Sequence, residues 1–153
     1  CFSSQVHDCQ PAGRMGRTLV EAIADAQRIA MKANKEVFIL GEDVGDPHGG
    51  VFGTNKGLET EFGKTRVRPT PIAEQAIIGA ALGASIAGMR PIAEIMFTDF
   101  LGVCLDQIAN HAAKQRYMSG SATHAPMVPS IMVAGPISAA PAPVRRFSCA
   151  WPT

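Results

Sequence analysis

The stretch from Thr70 to Glu94, TPIAEQAIIGAALGASIAGMRPIAE, constrains the fold of this chain more than any other. Its first eighteen residues hold one acid, Glu74, among small or apolar neighbours. Ala73, Ala76, Ala80, Gly83, Ala84 and Ala87 recur at three- and four-residue steps, which predicts a helix that lets neighbouring backbones come close. Thr70 and Pro71 read as its start, with Thr as the cap and Pro at the first helical position, where a missing N–H costs nothing. Gly88 and the Met89-Arg90-Pro91 turn read as its end. A helix of this composition is expected to be enclosed. Glu74, Gln75 and the preference for Ala and Gly over Leu argue against a membrane span here.

The flanking segments decide the class. Thr18-Leu19-Val20-Glu21 has the form of a capping box, and Leu19, Ile23, Ala26 and Ala30 follow at helical spacing, so a helix is predicted over about 18–33. EVFILG (36–41) is a β-branched and aromatic run ending in glycine, the pattern of a strand buried on both faces. EDVGDPHGGVFGTNKG then reads as a loop beyond the strand's carboxyl end, which is where ligands sit in open α/β sheets. IAEIMF (92–97) predicts a second strand, 99–118 a second long helix, and APMVPSIMV (125–133) a third strand. The order predicts an α/β fold of three layers, a mostly parallel sheet flanked by helices.

A chain of 153 residues is the size of one domain. Its 14 Lys and Arg against 13 Asp and Glu form no block of either sign, so no electrostatic case exists for a nucleic-acid or membrane-surface partner. The four cysteines show no C-x-x-C and no metal-like spacing, and His111 and His124 lack ligand partners at metal spacing; His48, in the glycine-rich loop, could approach a substrate but reads better as a solvated loop histidine. Neither a metal site nor a disulfide framework is expected, and the reducing cytoplasm is the expected compartment. Residues 1–16 read as a disordered leader, upstream of a natural start at Met15, and 17–128 as the domain. Five of the eleven prolines fall within 129–153, which has no period and reads as a disordered tail.

Glu74 admits two readings from its neighbours alone. Unpaired N–H groups at a helix start favour an anion, while the Ala, Ile and Gly around it favour the neutral acid. It is either a surface acid beside its cap or an acid poised to share a proton.

Four segments carry a resemblance: VFILGEDVG, GGVFGTNKGL, RVRPTPIAEQAIIGAALGASIAGMRPIAEIMFTDF and GVCLDQIANHAAKQRYMSG. In order and spacing they resemble the beta subunit of the thiamine-diphosphate-dependent decarboxylating component of 2-oxo acid dehydrogenase complexes, the acetoin dehydrogenase branch above all. The resemblance covers about 18–128. It implies an incomplete pyrimidine-binding domain of thiamine-diphosphate enzymes. It implies that Glu74 is the catalytic, cofactor-binding glutamate, which hydrogen-bonds a nitrogen of the aminopyrimidine and so stabilises the imino tautomer whose neighbouring nitrogen removes the thiazolium proton. It further implies that Glu42 belongs to the proton relay and cofactor pocket, and that Met96 and Phe100 pack around the aminopyrimidine. The implied cofactor is thiamine diphosphate, shared with an alpha subunit that holds the magnesium and diphosphate. The other implied partners are a lipoyl acyltransferase and a small 2-oxo acid or acetoin, in a heterotetrameric assembly.

Each of these positions also has a structural reading. Glu42 can cap the loop, Met96 and Phe100 can be core, and Asp99 can be a helix cap. Asp106, Gln107, Asn110 and Lys114 can form a polar helix face or a subunit contact. The chain departs from the family in having Pro69 where Asp is common, and after Val128, where the family's Gln-His-Ser-Gln segment and carboxyl-terminal domain do not follow. A truncation or frameshift near codon 129 is expected, with no turnover by the chain alone. The competing expectation is a non-catalytic fragment whose exposed apolar helices self-associate or bind a partner. A dinucleotide-binding module ranks last, since Gly79, Gly83 and Gly88 lie within a predicted helix rather than between strand and helix.

Overall fold

A computed structural model describes residues 18–123 and 128–131. The expected leader and most of the expected tail lie outside the described residues. The chain runs α1 (Leu19–Ala33), β1 (Val37–Glu42), α2 (Leu58–Phe62), β2 (Val67–Thr70), α3 (Glu74–Ile86), β3 (Arg90–Ile95), α4 (Leu101–Asp106), α5 (Gln115–Met118) and β4 (Val128–Ile131). A 3-10 turn over Thr98–Phe100 leads into α4, and a π-helical segment over Gln107–Ala112 follows it.

The four strands form one sheet in the order β2-β1-β3-β4, and every pairing is parallel. From β1 the chain moves first to one side, to β2, and then crosses to the other, to β3. That reversal opens a crevice at the carboxyl ends of β1 and β3. All six residues of β1 are buried, as expected for a strand covered on both faces.

Strand alternation sorts the core into two clusters. Val37 and Ile39 of β1 and Ile92 of β3 pack with Met31, Val44, Leu58 and Val67 in the layer of α1 and α2. Phe38, Leu40, Ala93 and Ile95 pack with Ile77, Ile78, Ala81, Leu82 and Cys104 in the layer of α3 and α4. By the same alternation Glu42 belongs to the α3 side, whereas Glu94 turns toward α2 and the glycine-rich loop. The expected three-layer α/β arrangement is the one observed.

Helix α1 begins at the predicted capping box: the Glu21 N–H donates to the Thr18 hydroxyl at 3.3 Å, and the Thr18 N–H donates to the Glu21 carboxylate at 2.8 Å. Its far end is closed from a distance. Arg66 donates from Nε and Nη2 to the carbonyls of Met31, Asn34 and Val37 at 2.6 to 2.9 Å, placing a cation where the helix leaves acceptors unpaired.

Three expectations need correction. Thr70 is not the cap of α3 and Pro71 is not its first residue: Thr70 ends β2, paired with Glu42, and α3 starts at Glu74 with Ala73 in the cap position. The cap pattern was outweighed by strand pairing. Helix α3 is not enclosed within the chain either; Ile77, Ile78, Ala81, Leu82 and Ser85 are buried, but Gln75, Ala76, Ala80, Gly83 and Ile86 are exposed. The helix expected over 99–118 is broken into 3-10, α, π and α pieces rather than being one regular α-helix. Gly88 does end α3 region as expected, with a φ of 96° that suits glycine.

Candidate active site at the carboxyl edge of the sheet

Glu42 is the last residue of β1 and is 5% exposed, and its Oε1 has no hydrogen-bond partner among the described residues. An isolated buried acceptor of this kind costs free energy unless something donates to it. Burial pushes the Glu42 carboxyl above its ordinary value, and the neighbouring carboxylates of Glu74 and Asp43 push it the same way. Glu42 therefore keeps its proton to higher pH than a solvated glutamate.

Glu74 enters from the first turn of α3, half-buried, close enough to Glu42 for the two charges to be felt. Beside Glu42 across the β1–β2 pairing lies Thr70, whose Oγ1 is also shielded from solvent and without a hydrogen-bond partner among the described residues. Three oxygen-bearing side chains thus converge at one corner, two of them with unmet hydrogen-bonding capacity. Glu74 also borders an open groove of about 620 Å³, lined by Ala73, Glu74, Gly79 and Ala80 on one side and by Val103 and Gln107 on the other; Glu42 and Thr70 do not line it. Gln107 stands in the π-helical turn, a distortion that often accompanies functional sites.

Met96 and Phe100 follow the carboxyl end of β3, on the strand next to β1. Met96 is half-buried and Phe100 is 38% exposed, so neither is the fully buried core residue of the structural reading. Phe100 packs edge-to-face on Phe97 at 5.8 Å between ring centroids, and Phe97 packs edge-to-face on Phe52 of the glycine-rich loop at 6.0 Å. Asp99 lies inside the 3-10 turn and does not cap it. His48 is an exposed loop residue, and His111 faces Asp106 at 3.5 Å on the exposed side of the π-helical segment. No group of three or more His, Cys, Asp or Glu able to hold a metal occurs among the described residues.

Sequence reasoning missed Phe52, Phe97, Thr70 and a second buried acid. Glu94 of β3 is 2% exposed; Asn55 Nδ2 donates to its Oε2 at 2.5 Å and Thr54 Oγ1 donates to the same oxygen at 3.2 Å. Burial pushes this carboxyl up, against the pull of its two donors. The signal was legible in principle: an acid inside IAEIMF, a strand of otherwise apolar residues, needs a buried partner.

The acceptors left open at Glu42 and Thr70, with Glu74 beside them, suit a planar heterocycle carrying N–H donors. The aminopyrimidine of thiamine diphosphate is such a group, and the aromatic file follows the carboxyl end of β3, the strand beside β1. The residues present fit that cofactor.

Residues 16–135 match the family described as transketolase, pyrimidine binding domain. The chain is 44% identical over 121 residues to the acetoin:2,6-dichlorophenolindophenol oxidoreductase subunit beta of Bacillus subtilis, covering 72% of this chain and 35% of that protein. It is 47% identical over 109 residues to the 2-oxoisovalerate dehydrogenase subunit beta of the same organism, covering 71% and 33%. It is 44% identical over 110 residues to the pyruvate dehydrogenase E1 component subunit beta of Staphylococcus epidermidis, covering 72% and 34%. The chain thus spans about a third of the length of these curated relatives.

Proposed function

This chain belongs to the transketolase pyrimidine-binding domain family, and from that premise we propose that it forms the pyrimidine side of a thiamine-diphosphate site in the beta subunit of a 2-oxo acid or acetoin dehydrogenase. The observation that carries the reading is the corner at the β1–β3 crevice, where a buried, unpartnered Glu42 oxygen lies near the Glu74 carboxylate. When bound, thiamine diphosphate supplies the nucleophile and electron sink for cleaving the bond beside a 2-oxo or acetoin carbonyl.

The chain's own residues then have distinct tasks. Glu74, at the open start of α3, accepts a hydrogen bond from the ring and passes a proton to and from one ring nitrogen. Glu42, which holds its proton to higher pH, closes the relay on the inner side, and the Thr70 hydroxyl completes the polar corner. Met96 and Phe100, with Phe97 behind Phe100, exclude water from the other flank. We assign the diphosphate and its magnesium to an alpha subunit, and transfer of the acyl group to a lipoyl acyltransferase. We place the complex in the cytoplasm, a compartment in which a buried free thiol such as Cys104 stays reduced.

The exposed side chains of Ile72, Val103 and Leu105, which are 81%, 55% and 51% exposed, favour a surface covered by another chain. The same observation is the basis of the second reading, a non-catalytic chain that self-associates. Co-expression with a matching alpha subunit separates the two. The assembled complex should bind thiamine diphosphate in a calorimetric titration, and Glu74→Gln should weaken that binding by roughly 10- to 100-fold, the worth of one hydrogen bond to a charged group. Binding indifferent to this substitution, or failure of any alpha chain to assemble while the chain forms homo-oligomers, sinks the leading reading.

A further inference from the structure

We infer that Glu94 is a positioning residue, which ties the glycine-rich loop 43–57 to β3 through Asn55 and Thr54 and so holds Phe52 against Phe97 at the edge of the site. The loop has its own internal ties. The Gly50 N–H donates to the Asp43 carbonyl at 2.7 Å, the Gly49 N–H to the Gly45 carbonyl at 2.8 Å, and the Asn55 N–H to the Gly49 carbonyl at 2.8 Å. These bonds fold residues 49–55 into a knot that presents Phe52, but all of them run within the loop. Side-chain attachment of the knot to the sheet comes from Asn55 and Thr54, both wholly buried, meeting the Glu94 carboxylate.

The backbone carries an independent mark of this attachment. Gly50 has a φ of 81°, and a Cβ built on it would lie 2.5 Å from the Glu94 Oε1, so the loop passes directly over the carboxylate. Phe52, two residues on, reaches Phe97 at 6.0 Å. Phe97 follows the end of β3, three residues after Glu94, so both ends of the contact are fixed by the same strand. One buried acid thus sets the loop height at which the ring pair can form. Its bearing on catalysis rests on the cofactor reading above; its bearing on the loop does not.

Hydrogen–deuterium exchange of the chain tests the loop. Asn55→Ala and Thr54→Val should each speed exchange of the amides of residues 49–55, by roughly tenfold for Asn55→Ala, while amides of β1 and the α3 core exchange as before. Glu94→Ala should do the same, and Glu94→Gln, which keeps an acceptor oxygen, should restore most of the protection. Loop exchange that is unchanged in all of these variants, or that rises only in step with the whole sheet, overturns the inference.

In the complex with an alpha subunit, Asn55→Ala should weaken thiamine diphosphate binding by a factor of several and leave kcat at saturating cofactor nearly intact. If Glu74→Gln weakens binding as stated above while Asn55→Ala leaves it unchanged, the positioning role is wrong and the cofactor assignment stands. If binding ignores Glu74→Gln yet the loop opens as stated, the cofactor assignment fails and the clamp stands.

Discussion

Replacing Gly41 by alanine tests how tightly the two central strands are fitted. Gly41 lies inside β1, opposite Glu94 of β3, with an ordinary extended backbone that any residue can adopt, so conformational strain does not enter. The obstacle is space. A Cβ there would lie 2.8 Å from the Glu94 carbonyl oxygen and 3.0 Å from both the Glu94 Cβ and the Val44 Cγ1. Two of these three atoms belong to β3 itself and cannot retreat without opening the ladder. Overpacking of a rigid core costs about 1–3 kcal/mol, and removing glycine from the unfolded chain returns about 0.4–1 kcal/mol. A net loss of about 1.3 kcal/mol is expected. With a urea m-value near 1.5 kcal/mol/M, the denaturation midpoint should fall by roughly 0.9 M.

Gly83→Ala provides the control, because a Cβ in that part of α3 meets nothing within 4 Å. It should stabilise the chain by about 0.5–1 kcal/mol. Equilibrium urea unfolding followed by circular dichroism reads both. Two midpoints that move in the same direction, or a Gly41→Ala midpoint within about 0.3 M of the parent, would refute the steric reasoning.

Arg66→Met should destabilise the chain by about 2–3 kcal/mol, because it releases three buried-end carbonyls together, and the loss should show in thermal unfolding. Glu42 stands above the ordinary value of 4.5, so it costs stability progressively as pH rises from about that value through its raised one; Glu42→Gln should match the parent in acid and exceed it near neutrality, a difference read by unfolding at a series of pH values. Asp46 works in the opposite sense. The Thr60 hydroxyl and the Gly57 N–H hold it below 3.8, so its contribution is present at neutral pH and is lost as pH falls through the lowered value. Asp46→Asn should therefore cost stability at pH 7, about 1 kcal/mol after solvent screening, and progressively less as pH falls below 3.8, as read by urea midpoints at a series of pH values.

Much of this architecture was legible because it is written in local patterns. The capping box of α1, the unbroken apolar run of β1 and the glycine after α3 each act within a few residues of themselves. What escaped is held by distant partners. Strand β2 is four residues long and contains a proline, which an edge strand tolerates because β1 is its only neighbour in the described sheet. Its Thr-Pro boundary mimics a helix start. Helix α2 has five residues and takes its N-terminal acceptor from Asp46, eleven residues before Gly57. For the site, Glu74 and Glu42 could be named from the chain's resemblance to its family, whereas Glu94 and Phe52 become visible only once a loop and a strand some forty residues apart are brought together.

The alternation of β1 and β3 has a consequence for how this protein can vary. Glu42 and Glu94 stand on neighbouring strands but serve opposite sides of the sheet, one turned to α3 and the other to the loop. Losing or gaining a single residue within either strand would reverse the parity of everything beyond it, sending an acid into the wrong compartment and an aliphatic side chain into its place. Length changes there are bearable only in pairs, so natural or engineered relatives should concentrate their odd-numbered insertions in the connecting segments.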